Sequence, residues 1–309
     1  MVIPCYNSAA YVAVAVTSAL AQTVAAREVI VVDDGSIDDP TAALSAIDDA
    51  RLRMVYAPNR GVSHARNLGV ELATGELVAF LDADDYWYPS KLERQLALFE
   101  VDPPPVAVGA QMHHVDSRGT LLGVTGVTEL DDKRQELVRA GALMPFVTSS
   151  SVISRKALQD VGGFDETFRV AQDLDLMARL AARGPVATVS EPLGAYRVHP
   201  ASASAREYRS QQQRSRFIRA RISARDAGGE LTWQEYLADR ESETKREWWD
   251  DTARSLYRAA GVLAAEQRYI GASWRLGLSV AMKPAHAIPR MRSQRVIANL
   301  RERDRKRTG

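Results

Sequence analysis

Apolar positions in the first hundred residues fall into short continuous runs and longer helix-spaced stretches, and the two alternate along the chain. Glu28 to Val32 is a β-branched run ending in Asp33-Asp34-Gly35-Ser36, and Leu77 to Leu81 is a second, ending in Asp82-Ala83-Asp84-Asp85. Runs of this length closed by turn residues predict strands buried on both faces of a parallel sheet. Helical spacing covers Ala9 to Gln22, Pro40 to Ile47 and Val62 to Ala73, and a further helix is expected over Ser90 to Phe99, after Pro89. The alternation implies βαβ units: an α/β chain with a mainly parallel sheet and helices on both faces. Ile3 belongs to a first strand preceded only by Met1 and Val2, so this strand is either clipped or cut into by the start of the chain.

Pro103-Pro104-Pro105 interrupts the pattern and opens a second half. There Val106 to Met112 and Val147 to Ile153 read as strands, with Asp116-Ser117-Arg118-Gly119 as a turn. Arg155 to Val161 reads as a helix stopped by Gly162-Gly163, and Leu174 to Ala182 as another. After about His199 the character changes. Arg206 to Leu300 carries long, Arg-rich helical patterns with Trp233, Trp248, Trp249 and Trp274. The expected organisation is 1–204 as one α/β domain, with halves 1–102 and 103–204, and 205–309 as a helical region with a basic tail. No internal repeat is evident.

Composition narrows the chemistry. Of 309 residues, 46% are hydrophobic and 26% charged, enough to bury a core of domain size. Forty Lys and Arg against 39 Asp and Glu give no global field for nucleic acid, so no nucleic-acid partner is expected. The exception is the stretch from Arg290 to Arg307, where basic residues far outnumber Glu302 and Asp304. One cysteine, Cys5, excludes an internal disulfide framework and suits a reducing compartment, with cytoplasm the default. No run approaches the ~18 apolar residues of a membrane span. Apolar Ala9 to Val16 followed by Ala19-Leu20-Ala21 raises a secretory signal. Against it stand the lack of a basic start, Pro4 and Asn7 within the segment, and the strand that follows directly.

In open α/β sheets ligands bind beyond the carboxyl ends of the strands, where both acidic loops fall. Hard oxygen ligands such as those of Asp82-Ala83-Asp84 suit Mg or Mn bridging phosphate oxygens. The same tripeptide also fits a solvated turn. The order of motifs carries more weight. Val2-Ile3-Pro4-Cys5-Tyr6-Asn7, Val31-Val32-Asp33-Asp34-Gly35-Ser36, Asn59-Arg60-Gly61 with Ala65-Arg66-Asn67, and Phe80 to Asp85 together resemble family two of the inverting glycosyltransferases. The similarity runs on through Gly162-Gly163-Phe164-Asp165-Glu166, Gln172-Asp173-Leu174-Asp175 and Tyr196-Arg197-Val198-His199, about the first two thirds of the chain.

The resemblance implies a GT-A fold, with a nucleotide-binding half (1–102) and an acceptor-binding half (103–204). It implies transfer of a sugar from a nucleotide diphosphate, UDP favoured, to a carbohydrate or lipid-linked hydroxyl acceptor, with Mn2+ or Mg2+ as cofactor. Pro4, Tyr6 and Asn7 then line the nucleotide pocket. Asp33 accepts from the imide nitrogen of the base, with Asp34 the lesser candidate for that contact. Arg66, Asp82 and Ala83 face the nucleotide, and Asp84 ligates the metal. Asp173 is the general base, taking the place of the acid in the family's Glu-Asp pair, whose Glu is here Gln172. Asp175 ranks below Asp173, and His199 is a candidate for the metal shell or a diphosphate contact. Adjacent His113 and His114 point to opposite faces of a strand and make no two-histidine site.

The residues also bear on two rival activities. A nucleotidyltransferase would call for a glycine-rich phosphate loop, and Pro4 to Ser8 holds no glycine. A non-catalytic sugar-nucleotide sensor would have no use for both Asp84 and Asp173. The C-terminal helices leave two readings open: packing on the catalytic domain or a second subunit, or peripheral contact with an anionic membrane at its inner face through tryptophans and the basic tail.

Overall fold

A computed structural model of the chain describes residues 1–199, 207–239, 245–265 and 267–291. The part of the basic tail from 292 onward lies outside the described residues. The chain divides into two compact units, Met1–Arg197 with Arg214–Leu231, and Val198–Gln213 with Thr232–Gly309.

The first unit begins with β1 (Val2–Cys5), α1 (Ala9–Leu20), β2 (Val29–Asp33), α2 (Pro40–Leu44), β3 (Leu52–Tyr56) and α3 (Val62–Leu72). β1, β2 and β3 form a parallel sheet in that order, with Val2 opposite Ile30 and Val29 opposite Leu52. Every residue of β1 and β2 is buried. The period of two sorts them: Val2, Ile30 and Val32 share a core with Ala65 and Val70 of α3, while Ile3, Cys5, Val29 and Val31 share one with Val12, Ala15, Val16 and Ala19 of α1. The segment read as a rival secretory signal is therefore a core helix. β3 escapes the sequence pattern because it is half-exposed and its apolar content is broken by Arg53.

β4 (Leu77–Ala79), β5 (Tyr86–Trp87), α4 (Lys91–Leu96), β6 (Ala107–Val115), β7 (Leu121–Thr125), α5 (Asp132–Arg139), β8 (Val152–Ser154), α6 (Arg155–Asp160), α7 (Gln172–Ala181) and β9 (Val186–Arg197) follow. Their sheet has the order β4-β8-β6-β9-β5, with β7 added to β6. It is mixed: β6 and β9 run parallel, and the other pairs are antiparallel. Parallel order thus belongs chiefly to the first half. A parallel bridge from Val2 to Phe80 joins the two sheets. It brings the ends of β1, β2 and β4 to one side.

One expected strand is locally different. Thr148–Ser150 is a tight 3-10 turn, and only Val152–Ser154 is extended. The Ser150 and Ser151 hydroxyls donate to the carbonyls of Val147 and Thr148 and so compete with a ladder. Gly162 and Gly163 stop α6 as read, both with positive φ. At Gly163 a Cβ would also lie 2.6 Å from Asn67 Oδ1.

The helical region contains α8 (Tyr208–Asp226), α9 (Trp233–Asp239), α10 (Lys245–Ala265) and α11 (Tyr269–Met282). The stretch Arg214–Leu231 belongs to the first unit, where Phe217 stacks on Phe168 and Arg221 pairs with Asp165 and Asp175. In the second unit α11 lies along α10, with the Ser279 hydroxyl donating to the Ala253 carbonyl. No described helix is long and apolar enough to cross a membrane.

Candidate active site

The loops after β1 and β2 are laced together. Asn7, in the left-handed region, donates its N–H to Ser36 Oγ at 3.0 Å, and its Oδ1 accepts from Ile37 N at 2.9 Å. Asp38, which no motif singled out, accepts from Ala9 N at 2.8 Å and so holds the start of α1. Pro4 is buried and Tyr6 is exposed beside it. Burial, with the negative charges of Asp33 and Asp38, pushes the Cys5 thiol up to about 12, so it remains protonated and offers no nucleophile.

Asp33 and Asp34, adjacent at the end of β2, do different work. Asp33 Oδ1 accepts from Ser36 N at 2.9 Å within its own turn. Asp34 spends both oxygens on backbone: Oδ1 accepts from Arg60 N at 2.9 Å and Oδ2 from Gly61 N at 2.8 Å. Asp34 thereby clamps the N-terminus of α3 to the end of β2, a charge-assisted arrangement at the positive end of a helix dipole.

That clamp aims α3. One turn in, Arg66 is buried with its Cζ 5.2 Å from the Phe164 ring, and its Nη2 donates to Asp82 Oδ1 at 2.6 Å. Its Nε and Nη1 are buried and have no hydrogen-bond partner in the protein. The loop carrying Asp82 rests on the serine turn, with Asp82 N donating to Ser149 Oγ at 3.1 Å. Ala83 is buried. Arg197, at the end of β9, fixes the rest of the loop: its Nε donates to the Asp84 carbonyl at 2.9 Å and its N–H to Asp85 Oδ1 at 2.7 Å. Asp85 is buried, and desolvation followed by the charges of Asp84 and Asp82 drives its carboxyl well above the ordinary range.

Asp173 lies in the first turn of α7, which begins at Gln172 after Ala171 in the left-handed region. Its Oδ1 accepts from Leu174 N at 2.8 Å. Desolvation raises its pKa above 3.8; the Leu174 N–H and the Arg66 charge oppose the shift, and Asp82 adds to it. Asp173, Arg66 and Asp82 therefore form one electrostatic cluster drawn from α7, α3 and the loop after β4. Asp175 is buried on the same helix between Arg179 and Arg221. Gln172 Oε1 is buried and lacks a protein partner.

Pro4, Tyr6, Asn7, Asp33, Asp34, Arg66, Asp82, Ala83, Asp84 and Asp173 all fall in the first unit, whereas His199 is grouped with the second. Among the described residues no three His, Cys, Asp or Glu side chains form a metal cluster. His113 meets Tyr88 Oη at 2.7 Å, while the ring of His114 packs on Tyr196. Sequence reasoning passed over Asp38, Asp85, Ser149 and Arg197. Asp85 and Arg197 each lie within a motif, so membership in the motif alone was their signal. Ser149 had none.

Acidic loops at the ends of adjoining strands, a buried Arg tied to one of them, and a carboxylate of raised pKa in the first turn of α7 are brought together here. The sequence model of "Glycosyl transferase family 2" matches residues 1–162, and the chain belongs to that family. It is 34% identical over 202 residues to the succinoglycan biosynthesis protein ExoU of Rhizobium meliloti, covering 60% of this chain and 57% of that one. The chain spans less than two thirds of the length of the curated relatives it matches, 65%, 32% and 57% in three of them. Its fold is that of GT-A glycosyltransferases. S. aureus TarS in complex with UDP-GlcNAc superposes with a TM-score of 0.55 at 18% identity, over 92% of this chain and 91% of that one. The mannosyltransferase PcManGT of Pyrobaculum calidifontis, in complex with GDP-Man and Mn2+, superposes with a TM-score of 0.52 at 20% identity, over 97% and 79%.

Proposed function

We propose that this chain transfers a sugar from a nucleotide diphosphate donor, UDP favoured, to a carbohydrate or lipid-linked hydroxyl, with inversion at the anomeric carbon. The setting proposed is cell-surface polysaccharide or glycoconjugate synthesis in the cytoplasm. The observation that carries the reading is Arg66: a buried guanidinium that pairs with Asp82, acts electrostatically on Asp173, and keeps two nitrogens, Nε and Nη1, without a protein partner. Buried donors of this kind cost about 1–3 kcal/mol unless a ligand satisfies them, and diphosphate or ribose oxygens are such acceptors.

Asp33 accepts from the imide nitrogen of the base, beside Pro4, Tyr6 and Asn7, and Asp34 holds α3 so that Arg66 faces the nucleotide. Asp173 takes the acceptor proton as the hydroxyl oxygen attacks the anomeric carbon and the nucleoside diphosphate leaves. Its raised pKa strengthens it as a base. A divalent cation, Mn2+ or Mg2+, when bound neutralises the leaving diphosphate. The residues fit one. The charges of Asp82 and Asp84 converge on buried Asp85, and a cation at this loop would relieve them. Asp84 would hold it. UDP-GlcNAc bound to TarS and the polysaccharide role in ExoU's name support the donor and the setting.

The test measures nucleoside diphosphate release from UDP-sugars with a panel of acceptors, with and without chelator. Release that depends on acceptor and metal and is lost in Asp173→Asn is expected. Wild-type rates in Asp173→Asn would remove the base assignment.

A further inference from the structure

α11 is built the wrong way round for a helix that serves only to pack. Toward α10 it turns small residues: Ala272 and Ser279 are buried, and the Ser279 hydroxyl is bonded to Ala253. Leu276, Val280 and Met282 are half-buried, but the other large apolar residues point outward. Ile270 is 91% exposed, Trp274 70%, and Leu278 is exposed one further turn along, a stripe at i, i+4 and i+8. Tyr269 at the head of the helix and Ile288 beyond its end are also exposed. Soluble surfaces carry scattered apolar residues, and a contiguous stripe containing Trp marks a contact face.

Charge selects the occupant. From Gln267 to Met291 the described chain has no Asp or Glu, while Arg268, Arg275, Lys283 and Arg290 recur through it. Asp250 of α10 is already paired with Lys283, and Asp251 of α10 is buried. A second copy docked about a two-fold axis would set this cationic face against itself, which is repulsive. An anionic lipid surface complements it, and a 14-residue helix too short to span a bilayer suits one lying in the interface. We propose that α11 is an interfacial anchor, inserting Ile270, Trp274 and Leu278 among the acyl chains of an anionic membrane while its flanking arginines meet the headgroups. This stands independently of the sugar-transfer reading, because neither donor nor acceptor enters it.

The test is flotation of the full chain with vesicles of phosphatidylcholine alone or with about one third phosphatidylglycerol. Binding is expected with the anionic vesicles only, and is expected to weaken as salt rises. The double variant Ile270→Ser/Trp274→Ser should lower partitioning by about tenfold or more with its circular dichroism unchanged. Arg268→Glu should also lower it. That change places an acid at the start of α11, where the helix dipole favours it, so the result is readable even if the double variant misfolds. Wild-type protein that stays with neither vesicle type, or a double variant that binds as the wild type does, would overturn the proposal. So would a dimer that the double variant converts to monomer without any vesicle binding, which would make the stripe a contact between copies.

Discussion

Asp33 and Asp34 are neighbours of identical chemistry, and their alanine variants should fail in opposite ways. Asp34→Ala removes a buried acceptor from two backbone donors, Arg60 N and Gly61 N. At about 1.5–3 kcal/mol for each hydrogen bond to a charged group, the loss is about 3–6 kcal/mol. For a unit of this size that corresponds to a fall in Tm of roughly 6–24 °C. Asp33→Ala loses one such bond, to Ser36 N, or about half as much. If Asp33 also accepts from the nucleotide base, its loss weakens UDP binding by about tenfold to a hundredfold. The assay pairs thermal unfolding by circular dichroism with UDP titration by calorimetry, both at temperatures where each variant is folded. The expected outcome is a large Tm drop with modest affinity loss for Asp34→Ala, and the reverse balance for Asp33→Ala. Asp34→Ala melting within two or so degrees of the wild type would refute the clamp. Unchanged UDP affinity in Asp33→Ala would refute the base contact.

Asp173→Asn should abolish transfer yet stabilise the fold at neutral pH. The native state raises the Asp173 pKa above 3.8, so it binds that proton more tightly than the unfolded chain does. Wild-type stability therefore falls as pH rises from 3.8 through the raised value, and the advantage of the variant should vanish below 3.8 in melts run across pH. Arg66→Met removes the cation that opposes that shift, so the acidic limb of the rate profile should move to higher pH while UDP affinity drops. A limb that stays put would uncouple the two residues. Gly109→Ala places a Cβ 1.9 Å from Phe146 Cγ in the core. It should cost at least about 1–3 kcal/mol, read as a lowered urea midpoint, with nucleotide contacts intact.

The first half of the fold was legible because its strands are buried on both faces. Val29–Asp33 is continuous apolar sequence ending in acid, and α1 and α3 carry their spacing openly. Where a strand is half-exposed, as at β3, or a polar run makes its own local bonds, as at Thr148–Ser150, composition points elsewhere. The expected boundary near 204 followed a change in composition. The structure instead groups Arg214–Leu231 with the first unit, through stacking of Phe217 on Phe168 and ion pairs of Arg221 that no local pattern announces.

The sequence by itself determined which residue types the candidate site draws on, and in what order: acids at strand ends, an arginine one turn into a helix, an aspartate opening another. Local spacing is enough for that, since turns and caps are decided by near neighbours. Only the tertiary structure decided their division of labour. Asp34 is spent on α3, Arg66 reaches Asp82, Asp173 meets the charge of Arg66 across more than a hundred residues of chain, and Ser149 and Arg197 hold a loop from the middle and the end of the second half. Electrostatic and hydrogen-bond partners are set by distance in space, and the strand pairing that closes those distances is not written in any local run of residues.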